Sequence, residues 1–244
     1  MTTPPPLHPS SSTSTPSSSS FVFPLDYAFP PFFTRQTNLT TRHAQLTKWA
    51  ALVLSYCHHY RLFKISLSGN PITATSNPGT TTNTTNQTTS ASASGGERDT
   101  TELFYNRTLN RRLSPADIRD VIAFLRKDGR AEYLLSPTGG SGVDGDVGGW
   151  GGGGEGAGPE GGDIVWVYWR TPEEWASLVE GWVDSTGQKG GVLTVYELVE
   201  GDGTRGTEFH GMDQDLLLKA LNVLVKRGKA QIFGQEDSLG VKFF

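Results

Sequence analysis

Apolar residues recur at Ile118, Val121, Ile122 and Leu125, at i, i+3, i+4 and i+7, a spacing that gathers four side chains on one helix face. Asp128-Gly129 supplies a glycine where the helix end calls for a left-handed residue, and Arg130 to Leu135 then reads as a short strand. The pattern returns. Leu217, Ala220, Leu221 and Leu224 take the same four places, Arg227-Gly228 makes the stop and Lys229 to Phe233 the strand. The copies lie further apart than the roughly 20 to 50 residues of a solenoid unit, so two small domains of one kind are expected. In each, a second strand-like run follows after a loop: Ile164 to Trp169, and Gly240 to Phe244.

Helices followed by a two-stranded hairpin describe a winged helix. The expected fold class is therefore α+β and mainly helical, with two tandem winged-helix domains of three helices plus a β wing each. Residues 21–170 would form the first and residues 171–244 the second. In the first, Thr40 or Thr41 can cap a helix running to about Tyr60, with Leu46, Trp49, Ala50, Val53, Leu54 and Cys57 along one broad face. Lys64 to Leu67 suggests a short strand, and Thr101 to Leu109 a short second helix. Ser114 then caps the third helix, with Pro115 in its first turn. In the second domain, Thr171 caps a helix opened by Pro172, Glu173 and Glu174, with Trp175, Leu178, Val179, Trp182 and Val183 inward and Gly187 as its stop. Val192 to Leu198 reads as a brief strand leading into a short helix, and Asp213 begins the last helix. Phe243 and Phe244 are expected in the core. The short connection at Arg170-Thr171 should hold the two domains at a fixed angle.

Composition limits how much of the 244-residue chain folds. Residues 1–20 are almost all Pro, Ser and Thr. Insertions near 68–100 and 138–162 are rich in Thr and Asn and in Gly, so the three stretches read as a disordered arm and two flexible surface loops. The single cysteine, Cys57, excludes an internal disulfide and fits a reducing compartment as a buried small hydrophobe. No run of 18 apolar residues exists to span a membrane, and the first residues do not resemble a secretory signal. The Asn-x-Thr triplets at Asn38, Asn83, Asn86 and Asn106 then read as chance matches.

Candidate chemistry is sparse. No catalytic motif is found, and the glycine run 148–154 lacks the Lys-Ser/Thr and helix of a phosphate loop. Asp144 and Asp146 lack the other ligands of a calcium site, and the adjacent His58 and His59 diverge on a helix, so neither cofactor nor metal is expected. Nucleic-acid binding is the competing reading of a winged helix. Yet the third helix exposes a mixture of signs, Asp117, Arg119, Asp120, Arg126, Lys127 and Asp128, on a chain of formal charge −4. The apolar stretch 21–33 carries three prolines that block helix, leaving an extended segment. It either packs along its own domain or reaches into another protein.

Phe29-Pro30-Pro31-Phe32-Phe33-Thr34-Arg35-Gln36, Thr41-Arg42 with Gln45-Leu46 and Trp49, Arg170 with Pro172-Glu173-Glu174-Trp175, Thr194 to Leu198, Glu208 to Gly211 and the terminal Gly240 to Phe244 together resemble the vacuolar protein sorting subunit 25 family, the small subunit of ESCRT-II. The resemblance covers residue 21 to the end, apart from the insertions. It implies a scaffold without catalytic activity, two copies of which join one copy each of two larger subunits. The proline-proline-x-phenylalanine segment would insert into those subunits, which makes Phe29, Pro30, Pro31, Phe32, Phe33 and Arg35 the candidate partner-binding residues and leaves the two Phe rings free of their own fold. The second winged helix would recruit an ESCRT-III subunit during sorting of ubiquitinated cargo into multivesicular bodies. Such a protein is cytoplasmic and meets endosomal membranes indirectly, through its complex. From the residues themselves, Glu197, Asp202 and Glu208 are either an acidic surface for a basic helix or a solvated loop.

Overall fold

The computed structural model describes residues 20–68, 100–134, 163–234 and 239–244. Apart from their end residues, the arm at 1–20 and the insertions near 68–100 and 138–162 lie outside the described residues. The first half runs α1 (Leu39–Tyr60), β1 (Lys64–Ser66), α2 (Thr101–Phe104), β2 (Tyr105–Asn106), β3 (Arg111–Arg112), α3 (Pro115–Lys127), β4 (Ala131–Tyr133) and β5 (Ile164–Val167). The second runs α4 (Pro172–Thr186), β6 (Val192–Thr194), α5 (Val195–Glu200), α6 (Gln214–Lys226), β7 (Ala230–Phe233) and β8 (Gly240–Phe243). Both halves mix helix with a three-stranded antiparallel sheet of one topology. The last strand is central, in the orders β1-β5-β4 and β6-β8-β7.

Local chemistry sets the boundaries. Ser114 accepts from the Asp117 amide and Pro115 opens α3, while Thr171 with Glu174 and Thr194 with Glu197 form reciprocal capping boxes on α4 and α5. Gly129 and Gly228, after α3 and α6, adopt φ of 67° and 69°, the left-handed turn a side chain would resist.

Several expectations need correction. α1 starts at Leu39 because Asn38, rather than Thr40 or Thr41, caps it by accepting from the Thr41 amide at 3.1 Å. α2 lasts one turn. Asn106 instead donates to the Tyr27 carbonyl at 2.7 Å and accepts from the Leu109 amide, and Asn110 takes a left-handed φ of 48°, so a small β2-β3 hairpin replaces the rest of that helix. Phe243 is buried but Phe244 is half exposed, because consecutive strand side chains point to opposite faces. Residues 21–33 are not extended throughout. They form 3-10 turns at Leu25–Ala28 and Pro30–Phe33, where the missing amides of Pro30 and Pro31 fall in a first turn that needs none.

The two halves share their interiors through β5. Val165 and Val167 enter the first hydrophobic cluster, whereas Trp166 and Tyr168 belong to the second, with α4 and α6 residues and Phe63. Around Trp166, Lys64 lies 4.3 Å from the ring centroid and pairs with Asp213 at 2.8 Å, while Lys219 donates to Glu132 and to the Tyr168 hydroxyl. Arg61 donates to the Glu208 and His210 carbonyls, both at 2.8 Å. Arg130 reaches Glu174 at 2.9 Å. These contacts tie the halves together over several elements.

Two outcomes follow from this junction. Phe63→Ala should cost about 3–5 kcal/mol as a core truncation and lower the stability of both halves in one thermal transition, measured by calorimetry. Burial alone would raise the Glu132 pKa, but hydrogen bonds from Lys219 and Tyr168 and the Lys219 charge bring it below its ordinary 4.5. Its stabilisation should therefore be complete above about pH 4.5 and fade as pH falls through the lower folded value, and Glu132→Gln should remove that part of the acid dependence of the melting temperature.

Candidate partner-binding site

The N-terminal segment lies against α1, α2 and the β2-β3 hairpin, Arg35 beyond it reaches α3, and its rings divide between core and surface. Phe32 stacks on Trp49 with centroids 4.4 Å apart and planes 4° from parallel, and Phe33 meets the same indole edge-on at 5.4 Å. Both rings are 5% exposed. This corrects the expectation that Phe32 and Phe33 stand free for a partner: Trp49 gives them apolar cover within their own chain. Tyr27 joins them, and its hydroxyl donates to the Glu102 carbonyl while burial raises its pKa. Phe23 stacks on Tyr27 at 4.1 Å, and the Phe21 amide donates to the Tyr60 hydroxyl at 3.0 Å.

Polar side chains of α1 hold the main chain of this segment. Gln45 Nε2 donates to the Phe32 carbonyl at 2.8 Å and to the Thr34 carbonyl at 2.9 Å, and Trp49 Nε1 donates to the Phe32 carbonyl at 3.0 Å. Arg42 Nη1 donates to Gln45 Oε1 at 3.0 Å, which orients the amide. Arg42 Nη2 reaches Asp117 at 2.8 Å and Asp120 at 2.6 Å on α3. Arg35, also expected to face a partner, pairs with Asp120 at 2.9 Å while most of its side chain stays exposed.

What remains outside is apolar. Leu25 is 94% and Phe29 58% exposed, and Pro30 and Pro31 are exposed beside them. A shallow cavity of about 170 Å³ adjoins them, with Phe29, Pro31, Phe32 and Ala44 in its walls. Leu25 was the part of this surface that the sequence motif did not single out. Its 3-10 turn, closed by the Tyr27 amide on the Pro24 carbonyl, carries it outward.

The acidic trio does not make one free surface. Glu208 accepts a forked pair from Arg170, at 3.0 and 2.7 Å, across the junction. Glu197 is engaged in its capping box, and hydrogen bonds from the Thr194 amide and hydroxyl lower its pKa. Asp202 is exposed and pairs with Arg205 at 3.0 Å. Tyr196, next to Glu197 in the chain, is an exposed aromatic that the charge pattern did not reveal. On α3, Asp117 and Asp120 receive Arg42 and Arg35, while Arg119, Arg126 and Lys127 are exposed.

A surface cavity of about 580 Å³ between the segment and the β2-β3 hairpin holds one carboxylate, Glu102, which accepts from the Tyr56 hydroxyl at 2.7 Å. Cys57 is fully buried and its thiol pKa is pushed up by burial, away from thiolate chemistry. Among the described residues no group of three or more His, Cys, Asp or Glu is arranged to hold a metal, and no helix is long and apolar enough to cross a membrane.

A sequence model described as ESCRT-II complex subunit matches residues 26–213. Vacuolar protein-sorting-associated protein 25 of Homo sapiens is 35% identical over 225 residues, which span 92% of this chain and 98% of that protein. The proteins of the same name from Xenopus laevis and Dictyostelium discoideum are 32% and 31% identical, each over 92% of this chain and over 99% and 96% of their own lengths. The crystal structure of subunit VPS25 of the endosomal trafficking complex ESCRT-II has the same fold, with a TM-score of 0.64, 24% identity and coverage of 91% of this chain and 99% of that one. The crystal structure of the endosomal complex ESCRT-II (VPS22/VPS25/VPS36) matches with a TM-score of 0.62 and 25% identity, over 91% of this chain and 98% of that one.

The buried ion pair gives a direct test of this geometry. Arg42→Ala should destabilise the chain by about 3–5 kcal/mol in urea unfolding, because it strands the buried Asp117 carboxylate, whereas Arg35→Ala at the surface should cost about 1 kcal/mol or less.

Proposed function

This chain belongs to the ESCRT-II complex subunit family, among the relatives of vacuolar protein-sorting-associated protein 25, and from that premise we propose that it is a non-catalytic scaffold of two tandem winged-helix domains, 21–170 and 171–244. In this reading the N-terminal segment binds the two larger ESCRT-II subunits, the counterparts of VPS22 and VPS36, with two copies of the chain per complex. The second winged helix recruits an ESCRT-III subunit as ubiquitinated cargo enters multivesicular bodies, and the cytoplasmic chain meets the endosome through its complex. No nucleic acid takes part.

The observation that carries the reading is the exposed apolar turn of Leu25, Phe29, Pro30 and Pro31 on a buried aromatic base. A large ring and prolines held outward suit a hot spot, since little conformational freedom is left to lose on binding. Phe32 and Phe33 act here as anchors that support the turn, and Arg35 borders it. The repeated helix, strand, short helix, long helix and hairpin series supports the tandem winged-helix assignment. For the second half, the exposed Tyr196 and Asp202 are the residues this reading offers to an ESCRT-III subunit, while Glu197 caps α5 and Glu208 is held by Arg170.

Phe29→Ser should shift chain stability by no more than about 0.5 kcal/mol, as an exposed substitution, yet weaken assembly with the two larger subunits at least tenfold. Phe32→Ala should instead destabilise the chain by about 3–5 kcal/mol. Mass measurement of the reconstituted complex checks the first, and an undiminished complex with Phe29→Ser would remove the basis for this reading.

A further inference from the structure

The structure assigns a positioning role to Arg42, Gln45 and Trp49: we propose that these α1 residues clamp the main chain of Pro31 to Thr34 so that Phe29, Pro30 and Pro31 are presented to the larger ESCRT-II subunits in one fixed arrangement. The inference rests on the reading of the exposed turn given above and names the residues that act behind it.

Three features point to a clamp rather than to ordinary packing. The donors converge on backbone carbonyls, two of them on that of Phe32, so they read the conformation of the turn and not only the side chains it carries. The clamp is itself held: Asp117 and Asp120 fix Arg42, Arg42 fixes the orientation of Gln45, and Gln45 fixes the turn. Its members are withdrawn from water, with Arg42 at 8%, Gln45 at 6%, Asp117 at 6% and Trp49 at 1% exposure. An apolar interior would be cheaper to build than a buried Arg-Gln-Asp network, which needs every partner in place to offset its desolvation. What the network secures is a turn whose exposed residues have little of their own chain to lean on.

The consequence for binding is preorganisation. A loose proline turn would have to be ordered as the complex forms, whereas a turn already fastened through Phe32 and Thr34 meets its partner without that cost. Because the contacts lie beneath the turn, Gln45 influences the interface through the segment and need not touch the partner.

Gln45→Met keeps the length and approximate volume of the side chain but removes its donors. In the free full-length chain, hydrogen exchange at the Phe32 and Thr34 amides should quicken tenfold or more, while the Val195 and Leu217 amides of the second half keep their protection. Affinity for a subcomplex of the two larger ESCRT-II subunits should fall about tenfold. A merely structural role would instead lower protection across the first half together and leave the affinity of the folded fraction unchanged. Should Gln45→Met fail to accumulate as folded protein, Asp120→Asn, which weakens the partly exposed end of the network, carries the same comparison, with Arg35→Ala beside it to separate the loss of the Arg35–Asp120 pair. Phe29→Ser serves as the parallel control, expected to weaken assembly without loosening the two amides. The clamp is overturned if those amides exchange no faster in the clamp variant, or if they do and affinity is unchanged while Phe29→Ser shows its defect. Failure of Phe29→Ser itself to weaken assembly would defeat the reading of the exposed turn, and the clamp with it.

Discussion

β5 serves two interiors at once, and the arrangement of the whole chain follows from that. A strand side chain can face only one of two directions, so Val165 and Val167 pack with α1 and α3 while Trp166 and Tyr168 pass into the cluster of α4 and α6. The strand is consequently apolar on both faces, which is why Ile164 to Trp169 reads as a continuous apolar run. With Phe63 crossing in the same direction, the first half supplies part of the second half's core. A duplicated unit that might have been two beads on a string becomes one body. The lysines flanking Trp166 then fasten the outer edge, with their charges taken up by Asp213, Asp215 and Glu132.

Much of this was legible because helix boundaries in this chain are written in local chemistry. Ser114-Pro115, Thr171-Pro172 with Glu174, and Asp213 start their helices where residue type alone puts them, and the glycines at 129 and 228 stop them. Where a long-range partner decides, the sequence misleads. Asn106 looks like part of a short helix until the Tyr27 carbonyl, far away in the chain, claims its amide. Phe32 and Phe33 look like recognition residues because nothing adjacent can cover them, and Trp49 does so only after the segment folds back on α1. Glu208 looks solvated until Arg170 arrives from the other half. One signal for the site is present in the sequence. α1 begins at Leu39, yet its inward apolar face starts only near Leu46, so the first inward positions are Arg42 and Gln45. A polar group buried at the start of an otherwise apolar stripe must have a polar partner, and that partner is the backbone of the turn.

The same network bears on what α3 can do. In a helix-turn-helix protein this helix enters the major groove and its N-terminal turn meets base edges. Here that turn carries Asp117 and Asp120, and both carboxylates are occupied by arginines that belong to α1 and the N-terminal segment. A nucleic acid would have to displace Arg35 and meet two carboxylates in return. This turn is engaged with the segment, whereas Arg119, Arg126 and Lys127 along the same helix are exposed.

A surface meant for a partner carries a cost before the partner arrives, because exposed apolar groups invite unwanted association. The division of the N-terminal rings answers this. Had Phe21, Phe23, Tyr27, Phe32 and Phe33 all faced water with Phe29, the free chain would present a continuous aromatic strip. Instead the first two pack partly and the other three fully against α1 and its neighbours, while Val22, Leu25, Phe29 and the prolines stay outside. The sealed rings form the base, and the exposed ones form a small face whose shape the base determines. Burial of Phe32 and Phe33 is therefore compatible with a binding role for the segment. In the proposed function, the point of contact then lies a few residues toward the N-terminus, and recognition depends on the conformation of the turn as much as on the residues it displays.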